Sequence, residues 1–261
     1  MLLYIVMSIE NLKIVAAGGI APNGKVAPLL EHAVELAQPE TAAQVLILLT
    51  AKTALKGHRS ATGKAIDLFS RRLGGNSRIL HGFGTMPDPK KVDDLFEEAD
   101  VLYIGGGDTK RMMEIWGMHR IDEKIRRRAE EGMVVSGIST GAIAPFGWGH
   151  SDWHSYEVLE KGDPWDFEPI NGLSLVPGVA VTPHANKKYE GQKRLDHFAE
   201  MFGGFSTPLG LAIDNFSAVQ VNEGKITALT ANSAYGVTVL QRDNNGALEM
   251  HRMSPTDSIS L

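Results

Sequence analysis

Short apolar runs alternate with amphipathic stretches along the first half of the chain, and that alternation limits the fold more than any other feature. Segments 13–17, 44–50, 78–81, 101–104 and 133–136 are rich in Val, Ile and Leu, as expected of strands covered on both faces. Between them, 26–37, 61–73, 91–99, 109–116 and 121–131 carry apolar residues at helical spacing, with Ser60 and Asp108 placed to cap and Gly132 to stop them. Strands that alternate with helices need right-handed crossovers. The expected fold is therefore α/β: a doubly wound, mostly parallel sheet with helices on both faces and its sites at the carboxyl ends of strands. With 261 residues, residues 11–261 read as one domain behind an N-terminal extension, 1–10.

The regularity breaks at Pro145 and returns near Leu173. The intervening stretch holds three of the four tryptophans, Trp148, Trp153 and Trp165, and fits equally a loop packed by its own rings or the wall of a pocket. Beyond it, 178–182 reads as a strand and 188–201 as a helix. Strand-like pieces at 211–213, 218–221, 226–229, 237–241 and 248–252 follow, with turns at 222–224 and 243–246. These last pieces are expected to form C-terminal antiparallel hairpins at the sheet edge.

A net charge of -5 with scattered Lys and Arg gives no basic stripe for nucleic acid. The absence of cysteine excludes disulfides, thiolate metal sites and a cysteine nucleophile, and fits a cytoplasmic protein. The apolar opening 1–7 has no basic flank or cleavage site and is too short to span a bilayer, so neither export nor a membrane partner is expected.

The central chemical signal is Gly137-Ile138-Ser139-Thr140-Gly141, directly after the strand at 133–136 and before a helix-like 142–146. A strand, a sharp turn and a helix form the setting of a nucleophile elbow, in which flanking glycines let the backbone crowd while the serine oxygen projects. The alternative is a Gly-rich turn whose serine only caps the helix. A serine hydroxyl needs a base, and of nine histidines His184 is placed best, at the end of the strand at 179–183. For most of the others, such as His32 and His197 inside helical patterns, a structural or solvated role fits better. The run 101–104 ends in Gly105-Gly106-Gly107-Asp108, a glycine turn before a helix. Gly106 or Gly107, with the N–H of Thr140, would form an oxyanion hole. The turn lacks the Lys-Ser/Thr ending of a phosphate loop and dinucleotide-site glycine spacing. His150, Asp152 and His154 alternate and present a zinc alternative, but no metal and no cofactor is expected.

In this order, the strand with its glycine turn and Asp108-Thr109, the elbow 137–142, Ser151-Asp152, Pro183-His184 and the basic helix with Arg194 resemble the dipeptidase E and cyanophycinase family of serine peptidases. The likeness runs over most of 11–240. It implies a fold like class I glutamine amidotransferases, with Ser139 as nucleophile and His184 as base. It implies an acidic third triad member between them in the chain, for which Asp152 matches best and Glu157 and Asp163 stay open. The family commonly has alanine after the nucleophile, whereas this chain has Thr140, whose branched side chain can narrow the hole or alter specificity. The dipeptidase branch cleaves after N-terminal aspartate, which needs a basic partner; Arg194 is the candidate for substrate binding, ahead of Lys187 and Lys188.

The expected function is thus a serine peptidase acting on small peptides, with aspartyl dipeptides as substrates. The rivals are a cyanophycinase-like isopeptidase and a non-catalytic ligand-binding relative. The expected partner is a small peptide, and a homodimer stays open.

Overall fold

A computed structural model of the chain describes residues 9–19, 27–51, 76–81, 87–156 and 166–261. The expected helix 61–73 with its Ser60 cap, Trp165, and the alternative acids Glu157 and Asp163 lie outside these residues.

The first five strands are β1 (Ile14–Ala17), β2 (Gln44–Leu49), β3 (Asn76–His81), β4 (Val101–Ile104) and β5 (Val134–Ile138). All five apolar runs named above are strands, and they pair in parallel in the order β1-β5-β4-β2-β3. Helices cover them at Ala27–Ala37, Pro89–Glu97, Thr109–His119 and Ile121–Glu130. The Asp108 carboxylate accepts the Arg111 N–H at 3.0 Å and caps the third of these. Gly132 follows the fourth at φ +100, a left-handed turn that glycine enters without a Cβ penalty.

The remaining strands are β6 (Phe146–Ser151), β7 (Glu168–Asn171), β8 (Val176–Pro183), β9 (Lys188–Tyr189), β10 (Gln192–Lys193), β11 (Leu209–Ile213), β12 (Ser217–Asn222), β13 (Lys225–Thr230), β14 (Val237–Arg242), β15 (Leu248–Arg252) and β16 (Ser258–Ser260). Their distribution departs from the single sheet expected. β12, β13 and β16 extend the first sheet antiparallel beyond β1, whereas β15-β14-β11-β8-β6-β7 form a second sheet in which β6, β8 and β11 are parallel. The two hairpin turns, 222–224 and 243–246, therefore close hairpins on different sheets.

Alternation within each strand explains the packing. Ile14, Ala16, Leu46, Leu48, Leu102 and Val135 face one core shared with Val179, Val181, Leu211 and Ile213 of the second sheet and with Phe96, Trp116 and Ile125 of the helices. Val15, Ala17, Val45, Ile47 and Tyr103 face another with Ala33. The far side of the second sheet places Trp148, Ala180, Ala212 and Leu240 against Phe198 and Phe202 of the helix Arg194–Gly203. Burying such strands at about 25 cal/mol per Å² of apolar surface is the main drive to fold.

Two local readings are corrected. The region after Pro145 is not irregular throughout: Phe146–Ser151 is a largely buried strand, its period obscured by Gly147 and Gly149. The helix expected from 188 begins at Arg194, because residues 188–193 form the β9-β10 hairpin, where Gly191 turns at φ +91.

Candidate active site

Register converges five strand ends on one place. Gly137 lies opposite Ile104 of β4, and Ile138 opposite Ala17 of β1. The Ser139 N–H then donates to Ala17 O at 3.1 Å, which brings the Gly18-Gly19 turn beside the elbow. In the second sheet Pro183 lies opposite Ile213, so the residues after β8 and β11 emerge side by side. The His184 N–H donates to Gly18 O at 3.0 Å and ties that edge to the first sheet.

Ser139 sits at φ 57, ψ -117, a conformation that costs a non-glycine residue on the order of 1–3 kcal/mol and is held by its surroundings. The helix after it, Thr140–Ile143, is a single turn and shorter than the expected 142–146. The flanking glycines are sterically required: a Cβ at Gly137 would lie 2.3 Å from Gly141 O, and one at Gly141 would lie 2.1 Å from Ile104 O.

The Ser139 hydroxyl is 2.9 Å from Nε2 of His184, and Nδ1 of His184 is 2.7 Å from Oδ1 of Asn215. An amide oxygen only accepts, so Nδ1 carries the proton and the Nε2 lone pair faces the hydroxyl. The Asn215 N–H donates to Asn186 Oδ1 at 2.9 Å. Gly19 covers the pair so closely that a Cβ there would fall 2.0 Å from Asn215 Oδ1 and 2.2 Å from His184 Nδ1.

Asp152 is not the partner of this imidazole, and the expected triad acid is corrected on that ground. Its carboxylate lies 3.8 Å from the Arg194 guanidinium, and the position it was expected to fill is occupied by Asn215. Sequence reasoning missed Asn215 because it sought an acid between nucleophile and histidine. The available signal was Asp214-Asn215 at the end of the strand-like 211–213, the same kind of position that singled out His184. Asp214 itself turns away, accepting the Gly236 N–H at 3.2 Å and pairing with Arg252 at 3.2 Å.

The oxyanion donors are also revised. Gly106 abuts Ser139: a Cβ there would lie 3.3 Å from Ser139 Oγ. Thr140 heads the elbow helix, where the first N–H has no intrahelical acceptor. The Gly107 N–H, however, donates to the Thr140 hydroxyl at 3.2 Å and so already has an acceptor.

Arg194 is 1% exposed. Its Nε donates to Thr182 Oγ1 at 3.2 Å and its Nη2 to His150 O at 2.6 Å, while the guanidinium lies 4.4 Å from the centre of the Phe167 ring. It acts on the imidazole through its charge. Packing, then Arg194 and Lys187, push the His184 pKa down to about 3, against a smaller upward pull from Asn215 and Asp152. Lys188 lies on the exposed edge of the β9-β10 hairpin.

The residues of the zinc alternative diverge. His150 contacts Thr182 and His197 at 3.0 and 2.9 Å, and His154 lies 3.1 Å from Glu168. Among the described residues no group of three or more His, Asp or Glu is placed to hold a metal. Of the loop aromatics, Trp148 packs on Phe198 and Phe202, and Trp153 carries Lys110 over its ring at 3.9 Å.

Residues 14–229 match the family model described as Peptidase family S51. The chain belongs to peptidase family S51. It is accordingly a serine peptidase, related to peptidase E. Among relatives of this S51 peptidase, the uncharacterized peptidase YgaJ of Bacillus subtilis strain 168 is 42% identical over 182 residues, 64% of this chain and 73% of YgaJ. Peptidase E of Haemophilus influenzae is 26% identical over 141 residues, 52% of this chain and 60% of its own length. A peptidase from an acI-B1 Actinobacterium superposes with a TM-score of 0.69 at 16% identity, covering 95% of this chain and 96% of its own. A putative peptidase E protein from Listeria monocytogenes EGD-e gives 0.59 at 16% identity, covering 85% and 99%. At such identity these two establish the fold. No helix among the described residues is long and apolar enough to cross a membrane.

Proposed function

We propose that this S51 peptidase hydrolyses small peptides bearing an N-terminal aspartate, through an acyl-enzyme on Ser139. The 2.9 Å contact between Ser139 Oγ and His184 Nε2 carries the reading. His184 removes the Ser139 proton as the oxygen attacks the scissile carbonyl. The Gly106 and Thr140 amides donate to the developing oxyanion. The imidazolium then gives its proton to the departing amine, the carbon–nitrogen bond breaks, and the acyl group remains on Ser139. A water that loses its proton to His184 attacks the ester, and the regained proton returns to Ser139 as the acid departs. Asn215 keeps Nδ1 protonated throughout, so that Nε2 stays the working nitrogen.

The acidic preference rests on the charges of Arg194 and Lys187, both of which raise the potential at the imidazole and favour a substrate carboxylate nearby.

A fluorophosphonate probe tests the nucleophile. The wild-type chain is expected to be labelled, Ser139→Ala to be unlabelled, and His184→Ala to label at least about 100-fold more slowly. An unlabelled wild-type protein would favour a ligand-binding relative with an idle serine. Hydrolysis of aspartyl dipeptides against β-aspartyl-arginine isopeptides then tests the substrate, and turnover of the isopeptide alone would exchange this proposal for the cyanophycinase-like one.

A further inference from the structure

The residue after the nucleophile carries a hydroxyl buried to 4% exposure, and its bonds are directional. The Thr140 hydroxyl contacts Gly107 O, accepts the Gly107 N–H at 3.2 Å, and lies 3.1 Å from Thr109 Oγ1, which lies 2.8 Å from Ser151 Oγ. A carbonyl oxygen only accepts, so the single Thr140 proton goes to Gly107 O. The Thr109 proton must then supply the bond to Thr140, and the Ser151 proton the bond to Thr109. Thr109 and Ser151 are each 1% exposed. Such a chain, in which each bond polarises the next, is stiffer than its members alone, and an unpaired polar group within it is costly.

On this basis we infer that the Thr140 side chain is a positioning residue for the oxyanion hole. Its hydroxyl holds Gly107 by both its N–H and its C=O, and so fixes the turn that presents Gly106 to Ser139. The inference rests on the proposed nucleophile, and it assigns to the threonine a function beyond steric narrowing. Alanine at this position would leave both Gly107 groups without this partner.

The test uses the full chain and the inactivation kinetics of the fluorophosphonate, which separate the limiting rate from the half-saturating concentration without a known substrate. Thr140→Val keeps the backbone donor and branched shape but removes the hydroxyl. The limiting rate is expected to fall about tenfold or more, with the half-saturating concentration within about twofold of wild type, since only the charged transition state uses the hole. Thr140→Ser, which retains the hydroxyl, is expected to stay within about threefold on both measures. A folded Thr140→Val variant with the wild-type limiting rate would overturn the inference, as would equal losses in Val and Ser. If the Val variant does not fold, Ser151→Ala decides: it removes only the far donor, and an unchanged limiting rate there overturns the relay. Loss of labelling in Ser139→Ala together with normal labelling in Thr140→Val sinks this inference alone, whereas persistent labelling of Ser139→Ala sinks the nucleophile first.

Discussion

At the residue scale the unusual member of the site is Asn215. A carboxylate on Nδ1 would stabilise the imidazolium and raise its pKa, whereas an amide oxygen orients the ring without a charge. Packing, then the positive charges of Arg194 and Lys187, hold the His184 pKa at about 3 in the folded protein against the smaller upward pull of Asn215. In the proposed mechanism the neutral ring is the base, so activity is expected to be lost only as pH falls through that value. The acid limb of the pH–rate profile, followed by fluorophosphonate inactivation, is expected to lie well below the ordinary histidine value of about 6.5. Asn215→Asp is expected to move that limb upward. A wild-type limb near 6.5 that the substitution leaves in place would contradict the assigned cause. The serine and the histidine were legible from their places at strand ends. Asn215 also follows a strand end, but its pairing with His184 was not legible, because nothing in its own neighbourhood in the chain indicates that β8 and β11 lie side by side with Pro183 opposite Ile213.

At the scale of elements, the elbow shows how closely the backbone must pack for the site to form. Gly141 rests on the carbonyl of Ile104, with room for no side chain. Gly141→Ala is expected to lift the elbow helix off β4, costing about 3 kcal/mol or more because backbone rather than a mobile side chain must yield. The thermal midpoint should fall and probe labelling disappear; an unchanged midpoint would show that the turn can relax. The same scale shows where pattern reading failed. The parallel strands were readable because each is an uninterrupted apolar run of the kind only a doubly covered strand needs. Phe146–Ser151 was missed because Gly147 and Gly149 remove every second side chain from its period. Residues 188–193 read as the start of the following helix because Lys, Gln and Arg suit helices as well as edges, and the turn at Gly191 decides between them.

For the whole molecule, acid is expected to destabilise through buried histidines. His184 is held near 3 and His150 well below its ordinary value by burial, then by Arg194 and His197, whereas in the unfolded chain both protonate near 6.5. The unfolded state therefore binds protons first as pH falls. Stability is complete above about 6.5 and declines from there toward 3. The denaturant midpoint measured from pH 7.5 to 4 is expected to fall, and His150→Phe to flatten part of that fall. An equal pH dependence in the variant would remove His150 from the account.

Local composition dictated the alternation of the described strands and helices, the Asp108 cap, the glycine turns and the serine on its elbow, since each depends on a few adjacent residues whose backbone preferences add up. Contacts between distant segments lay beyond it. The division into two sheets, the hydrogen bond of His184 to Asn215, the commitment of Asp152 to Arg194 and the hold of Thr140 on Gly107 all depend on which strands become neighbours. That choice is made by burying several apolar faces at once, and a side chain's partner follows from register across the sheet rather than from its distance along the chain.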